Sequence, residues 1–265
     1  MRKLLIGSVI LCFSGVAGAT VVIDLTATGG ATLTGGIGGS ILDATSAPTT
    51  VGTGSIDSFV RIQNSPTEQG YNTDANNVDD NKGGAFTHSL LLSALDSTTK
   101  AGYFTFLLDI NETSPTSLIS IDALQIYTAS TGNLSQSGTP GPGATLRYDF
   151  KSATSAVCSG SGVCIGSGSP NAIVLDYNNN SGSGNGFDMF LYVKQDLFTG
   201  LSGSTFVYLY SAFGGLASAD SSDAGFEEWA RISGTGQVGV PEPVSSSLVG
   251  VGLIGLFFLR RRATR

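Results

Sequence analysis

The chain has 265 residues, of which 41 % are hydrophobic, only 12 % are charged and 37 are glycine, with a formal net charge of −7. Charge is about half, and glycine about twice, the usual shares of ~25 % and ~7 %, which argues against helices, whose surfaces draw on Glu, Lys and Arg. The acidic balance excludes a phosphate-gripping surface, so no nucleic-acid partner is expected.

Taken from the N-terminus, Met1, Arg2 and Lys3 give a positive start, residues 4–16 are apolar or small, and Ala17-Gly18-Ala19 supplies small side chains. That order is a secretory signal peptide over residues 1–19, with signal peptidase cutting before Thr20. Cys12 follows Val9, Ile10 and Leu11, and without a small residue directly before it lipidation is not expected. Residues 20–239 form the exported body. Seven of the thirteen Lys and Arg and nineteen of the twenty Asp and Glu fall there, a formal charge of −12. The length suits one β domain with a sizeable core.

Within the body, residues 21–25 and 59–63 read as strands, and residues 29–39 and 72–84 as turn-rich stretches. Phe104, Phe106, Leu108 and Ile110 alternate with Tyr103, Thr105, Leu107 and Asp109, which places each set on one face of a strand. Ile119 and Ile121 lie on one parity, Leu124 and Ile126 on the other. A bulge or turn at Asp122-Ala123 produces such a switch. Residues 131–143 and 158–170 are again turn-rich, around strands at 146–150 and 173–177. Residues 178–186 form a loop, and 188–193 read as a strand apolar on both faces. In 205–211, Phe206, Tyr208 and Tyr210 share a face. A turn or two of helix is expected near 218–226, then a strand at 229–232. About ten strands at this spacing predict an all-β fold, an antiparallel β-sandwich or jelly roll.

Four constellations could carry chemistry. Asn72, Asp74, Asn76, Asp79 and Asp80 gather hard oxygen donors in one loop, the ligand type calcium takes in six- to eightfold coordination. The spacing is not that of an EF-hand, because Asn77 and Gly83 stand where glycine and glutamate are required. A solvated Asx-rich turn accounts for the same residues. Tyr177, Asn178, Asn179 and Asn180, with Gly184 to Asp188 beyond them, resemble the Gly- and Asn-rich loops of sugar-binding sandwiches, and also read as an ordinary hairpin loop.

Glu227 and Glu228 are adjacent, so a strand points them to opposite faces and they make a poor acid/base pair. Glu227, Trp229 and Arg231 share a face, where Arg231 is expected to pair with Glu227 or lie over the indole. His88 is the lone histidine; no Gly-x-Ser-x-Gly turn and no histidine metal motif accompanies it, so no catalytic residue is expected. Cys158 and Cys164 flank five residues, mostly Gly and Ser, and outside the cytoplasm they are expected to form a disulfide. Two free thiols are the alternative, and zinc lacks further ligands.

The tail is the most specific segment. Pro241, Glu242 and Pro243 precede an apolar run ending at Leu259, closed by Arg260, Arg261 and Arg262. Residues 244–259 span 16 positions, short of the ~20 a bilayer crossing takes unless it thins locally. Arginines stop at the cytoplasmic side, so residues 240–265 read as a short C-terminal transmembrane helix with the body on the outer side. This order of motif, Gly-rich apolar helix and arginine cluster resembles the PEP-CTERM sorting signal of Gram-negative bacteria. The resemblance implies an exosortase-like sorting enzyme as partner, transient residence in the inner membrane, removal of the helix, and delivery to the cell surface or extracellular polysaccharide. The body is similar to uncharacterised PEP-CTERM proteins through residues 68–74 and 226–229, which implies location and leaves activity open. The expected function is a structural or adhesive, polysaccharide-associated role. A calcium-dependent carbohydrate-binding module is the alternative, and a polysaccharide hydrolase using two carboxylates is the second.

Overall fold

The computed structural model describes residues 21–45, 57–75, 78–112, 117–166, 168–179, 187–216, 218–223 and 225–232. The expected signal peptide, Asn76, the sorting motif Pro241, Glu242 and Pro243, the apolar tail segment and Arg260, Arg261 and Arg262 lie outside them. Among the described residues no helix is long and apolar enough to cross a membrane; the helical segments there are 3-10 turns of three or four residues, one of them Ser218–Asp220 where a short helix was expected.

Two sheets make an all-β, sandwich-like body. One runs β11 (Val163–Ile165), β1 (Val21–Asp24), β12 (Pro170–Asp176), β8 (Leu118–Ala129), β14 (Phe206–Phe213) and β5 (Glu68–Tyr71), with β6 (Leu90–Leu91) on β14 and β9 (Thr145–Asp149) on β8. The other runs β10 (Ser155–Gly160), β2 (Gly29–Thr34), β3 (Ser40–Asp43), β13 (Met189–Lys194), β7 (Tyr103–Asp109), β15 (Glu227–Arg231) and β4 (Asp57–Ile62). The pairings are antiparallel except β1 with β12, which is parallel. Among the described residues there are fifteen strands where about ten were expected, and the one parallel pair there corrects a purely antiparallel reading.

The alternating segments build the interface between the sheets. Ile23, Ile121 and Leu209 from the first sheet and Phe59, Phe106, Leu191 and Trp229 from the second form one cluster, all fully buried. Each such side chain contributes about 1.5–3 kcal/mol on burial. Trp229 keeps its indole N–H satisfied by donating to Ser211 Oγ at 3.0 Å across the sheets. The parity switch in β8 is a bulge, since β14 pairs Ala212 with Ala123 and then Phe213 with Ile121, leaving Asp122 extra. Inward-facing residues therefore pass from Ile119 and Ile121 to Leu124 and Ile126 within a single strand.

The strands missed by sequence reasoning are those poor in apolar alternation. Residues 29–39 and 158–170 read as turns, yet they hold β2, the end of β10, β11 and the first residue of β12. Their glycines answer a steric need: a Cβ on Gly29 would stand 2.1 Å from Gly162 N, and one on Gly162 would meet Leu25 Cδ2 at 2.9 Å. Here the β10–β11 hairpin passes from one sheet to the other, β10 pairing β2 and β11 pairing β1. The disulfide Cys158–Cys164 bridges that hairpin with a Cα–Cα distance of 5.6 Å, as expected from the spacing.

Candidate functional site

Where β1, β3 and β12 end and the chain enters β13, they leave a polar cleft. Leu25 and Leu175 line it with Thr28, Thr45, Asp176, Asn179 and Asp188. Local hydrogen bonds fix most of this wall. Asp176 accepts from Asn178 N at 2.9 Å, and Asn179 Nδ2 donates to Thr26 O at 2.6 Å. Thr45 N donates to Asp43 Oδ1 at 2.9 Å, an Asx turn that shapes the exit of β3.

Asp188 differs from its neighbours. Its N–H donates to Leu108 O at 2.9 Å and its Oδ2 accepts from Ile110 N at 2.8 Å, so backbone and side chain together clamp the end of β7. The residue is 8 % exposed, and its Oδ1 has no hydrogen-bond partner among the described residues. Burial raises the Asp188 pKa well above the ordinary carboxylate range, the Ile110 amide opposes this, and the charges of Asp109 and Asp176 add to it. None of the described residues lining the cleft is basic. Its volume is about 60 Å³. A water molecule takes ~30 Å³ of liquid and a drug-sized ligand ~300–1,000 Å³, so the cleft admits an ion with a water or two, or the hydroxyl edge of a larger molecule resting outside. It cannot enclose a sugar ring.

Comparison with family models, with curated proteins and with solved structures gives no match.

The structure disperses the oxygen-rich loop instead of converging it. Asn72 is fully buried, donating Nδ2 to Val207 O at 2.8 Å and accepting from Leu209 N at 2.6 Å, so its amide stands in for a strand neighbour of β14. Asp74 accepts from Ser89 N at 2.8 Å, Asp79 from Gly138 N at 2.8 Å and Ser137 Oγ at 2.6 Å, and Asp80 from Gln69 N and Asn64 Nδ2, both at 2.8 Å. The three carboxylates thus face three different segments. Among the described residues no group of three or more His, Cys, Asp or Glu is arranged to hold a metal ion.

His88 lies near both Ser89 O at 2.9 Å and Ser58 O at 3.1 Å, so its ring nitrogens meet carbonyls and not a serine hydroxyl. The expected pairing of Arg231 with Glu227 or the indole is corrected. Four residues along a strand are about 13 Å apart, and Arg231, at the far end of β15, pairs with Asp57 and donates to Ala94 O at 2.9 Å. Glu228 instead meets Arg61 at 2.9 Å, whose guanidinium lies 3.6 Å from the centre of the Phe86 ring and 4.2 Å from that of Phe226.

The burial of three glutamates, Glu68, Glu112 and Glu227, was not expected from the sequence. Glu68 accepts from Asn64 N at 2.8 Å, and burial pushes its pKa up to about 8. Glu112 accepts from Asp223 N at 2.9 Å and is likewise raised to about 8 by burial, with Glu68 adding to the effect. Glu227 is fully buried and neither carboxyl oxygen has a partner among the described residues. Asp188 had one sequence signal: it is the single acid at the head of a segment that is otherwise apolar on both faces.

Proposed function

We propose that the protein is exported and works at the cell surface or in the extracellular matrix in a structural or adhesive, polysaccharide-associated role. The observation that carries the reading is the tail order of Pro241-Glu242-Pro243, apolar run and Arg260 to Arg262, opposite in the chain to the charged, apolar and small-residue order at the N-terminus. An exosortase-like enzyme and signal peptidase are the processing partners this implies, and the inner membrane is a station on the route. The body supports a contact role: it is acidic and low in charge density, and its cleft of about 60 Å³ is far below the ~300 Å³ at which ligand pockets begin. A hydroxyl edge set against Asp176, Asn179 and Thr45 suits association along a polysaccharide better than enclosure and cleavage of one residue of it.

The test is fractionation of the native cell with mass determination of the C-terminus. The expected product is found outside the inner membrane, lacks residues 1–19 and the apolar tail segment, and co-sediments with the host's extracellular polysaccharide. Intact 265-residue chain in the cytosol, with Met1 retained, overturns the proposal. Release of reducing sugar from that polysaccharide, abolished by Asp176→Asn and by Asp188→Asn, establishes the hydrolase reading in its place.

A further inference from the structure

We infer that the rim of the sandwich at β10 is a self-association edge. There β10 of one copy pairs antiparallel with β10 of a second copy about a two-fold axis at Val157, so that one sheet continues across both molecules. The inference goes beyond the association with polysaccharide and stands on different residues.

The two rims of the body are finished differently. At one, β4 and β5 end their sheets, and the chain between β5 and β6 folds back over both edges. His88 N donates to Phe59 O at 3.0 Å and Lys82 N to Arg61 O at 2.8 Å on β4. Asp80 N donates to Gln69 O at 3.1 Å and Asn81 Nδ2 to Tyr71 O at 2.8 Å on β5. At the other rim the sheets end in β10 and β11. Ser161 N donates to Thr28 O at 3.1 Å, and the register carries that phase along the strand, setting Ser159 opposite Gly30, Val157 opposite Thr32 and Ser155 opposite Thr34. Alternate residues of an antiparallel strand bond to alternate sides. Residues 155, 157 and 159 therefore bond to β2, while Ala156 and Cys158 each turn an N–H and a C=O outward, where no backbone group of the described residues meets them.

Open sheet edges are ordinarily blunted by charge, proline, a bulge or a covering loop. β4 carries Asp57 and Arg61 beneath its loop, and the edge strand β9 carries Arg147 and Asp149. β10 has none of these devices. No residue from Ser152 to Leu175 is charged, the first proline after β10 is Pro170, and the pairing with β2 runs without a bulge. Its outward side chains include Val157, 65 % exposed, and β11 adds Val163 and Ile165 at 50 % and 54 % on the same rim. Ala156 and Cys158 pack inward against the core, and the bridge to Cys164 ties β10 to the other layer, so the edge is held ready in the single molecule.

The occupant follows from two properties of this edge. Its alternating donors and acceptors are matched by another extended backbone. It also belongs to a body of formal charge −12. Two copies repel where their carboxylates approach within a screening length, ~10 Å at 0.1 M salt, and an uncharged rim is where that repulsion is least. A two-fold contact sets the same patch against itself, and β10 is complementary to itself. With Val157 on the axis, Ala156 of each copy makes the hydrogen-bonded pair with Cys158 of the other. Val157 then faces its own counterpart in the non-hydrogen-bonded position, where side chains come closest, and Ser155 faces Ser159. A contact along residues 155–159 is smaller than the ~800 Å² per partner of a standard interface, so the pairing is weak and forms where copies are crowded.

The test is sedimentation velocity, without polysaccharide, on the protein as the cell yields it, in mild detergent where the apolar tail is still attached. Protein is taken to about 1 mM, where a dimer with Kd of ~1 mM is half formed. The expected result is a monomer–dimer equilibrium that tightens with salt, because screening relieves repulsion between the acidic bodies. Val157→Lys sets like charges against each other on the axis and is expected to weaken the dimer at least tenfold. Val157→Thr keeps the β-branched shape and weakens it less. Leu146→Lys, on the charged edge of β9, is the control and leaves the dimer unchanged. Val157 and Leu146 are both exposed, so all three variants are expected to melt near the wild-type temperature. In the wild type, amide exchange at Ala156 and Cys158 slows as concentration rises, whereas the Val157 amide, already bonded to β2, does not change. A monomer at about 1 mM, a dimer that survives both Val157 variants, or an equal loss in Leu146→Lys overturns the proposal. So does a dimer in which the Ala156 and Cys158 amides exchange as fast as in the monomer.

Discussion

Two acidic regions of this molecule, both rich in carboxylates, are built on opposite terms. In residues 72–81, Asp74, Asp79 and Asp80 each hold the backbone N–H of a distant segment. Those bonds tie the loop down beside Tyr71 and Tyr208, whose rings pack edge-to-face at 5.8 Å. At the strand ends near β5 and β15, Glu68, Glu112 and Glu227 are buried, the first two by 2.8 and 2.9 Å bonds to one amide each and the last by none among the described residues. Acid content alone therefore tells little. The first region uses charge as a set of hydrogen-bond acceptors for loop closure; the second places carboxyls where water cannot reach, and in Glu68 and Glu112 burial favours the protonated form.

The pH response separates the two most sharply. For Glu68 and Glu112 the folded pKa of about 8 lies above the ordinary 4.5, so the folded chain holds more protons than the unfolded one between those values. Their contribution is full below about 4.5 and is lost as pH rises through about 8. The unfolding free energy is expected to fall from pH 5 to pH 9 by an amount on the order of several kcal/mol, and the melting temperature with it. Glu68→Gln should flatten much of that slope, and a wild-type melting temperature that is level or rising across the range refutes the difference between the regions. The next effect in size comes from the loop. Asn72→Ala removes two buried bonds and strands Val207 O and Leu209 N, for a loss of roughly 2–4 kcal/mol by chemical denaturation. A loss under about 0.5 kcal/mol means the loop is not held as described. The smallest is Asp79→Ala, which frees Gly138 N and Ser137 Oγ at the surface and is expected to cost about 1 kcal/mol by chemical denaturation.

The strands legible in the sequence are those whose own residues alternate or run apolar. Phe104 to Ile110, Phe206 to Tyr210 and the switch around Asp122 all follow from parity, because each strand must hide one face whatever its neighbours do. β2, β5, β10 and β11 were not legible, since Gly29, Gly30, Glu68 and Gly70 carry no such face and their pairing is supplied by partners distant in the chain. Gly70 shows the reason: a Cβ there would stand 2.2 Å from Asn81 Oδ1, so what reads as a turn residue is a close approach. The cleft was half legible. Asn179 and Asp188 belong to the loop singled out for its Asn and Gly content, but the clamp on Ile110 joins residues 78 apart and no local pattern announces it. The disulfide was legible because seven residues of mostly Gly and Ser close on themselves without help from the fold.

That short bridge has a mechanical side. Cys158 sits opposite Ala31 in one sheet and Cys164 opposite Ile23 in the other, so the ring they close is a rivet through the rim of the sandwich. A pull that slides the layers past each other at this edge runs through the ladders of β10 on β2 and β11 on β1 and, between them, through the disulfide as well as the turn. Under reducing conditions the same load falls on the turn at Ser161 and Gly162 alone, and the layers become free to slip there first.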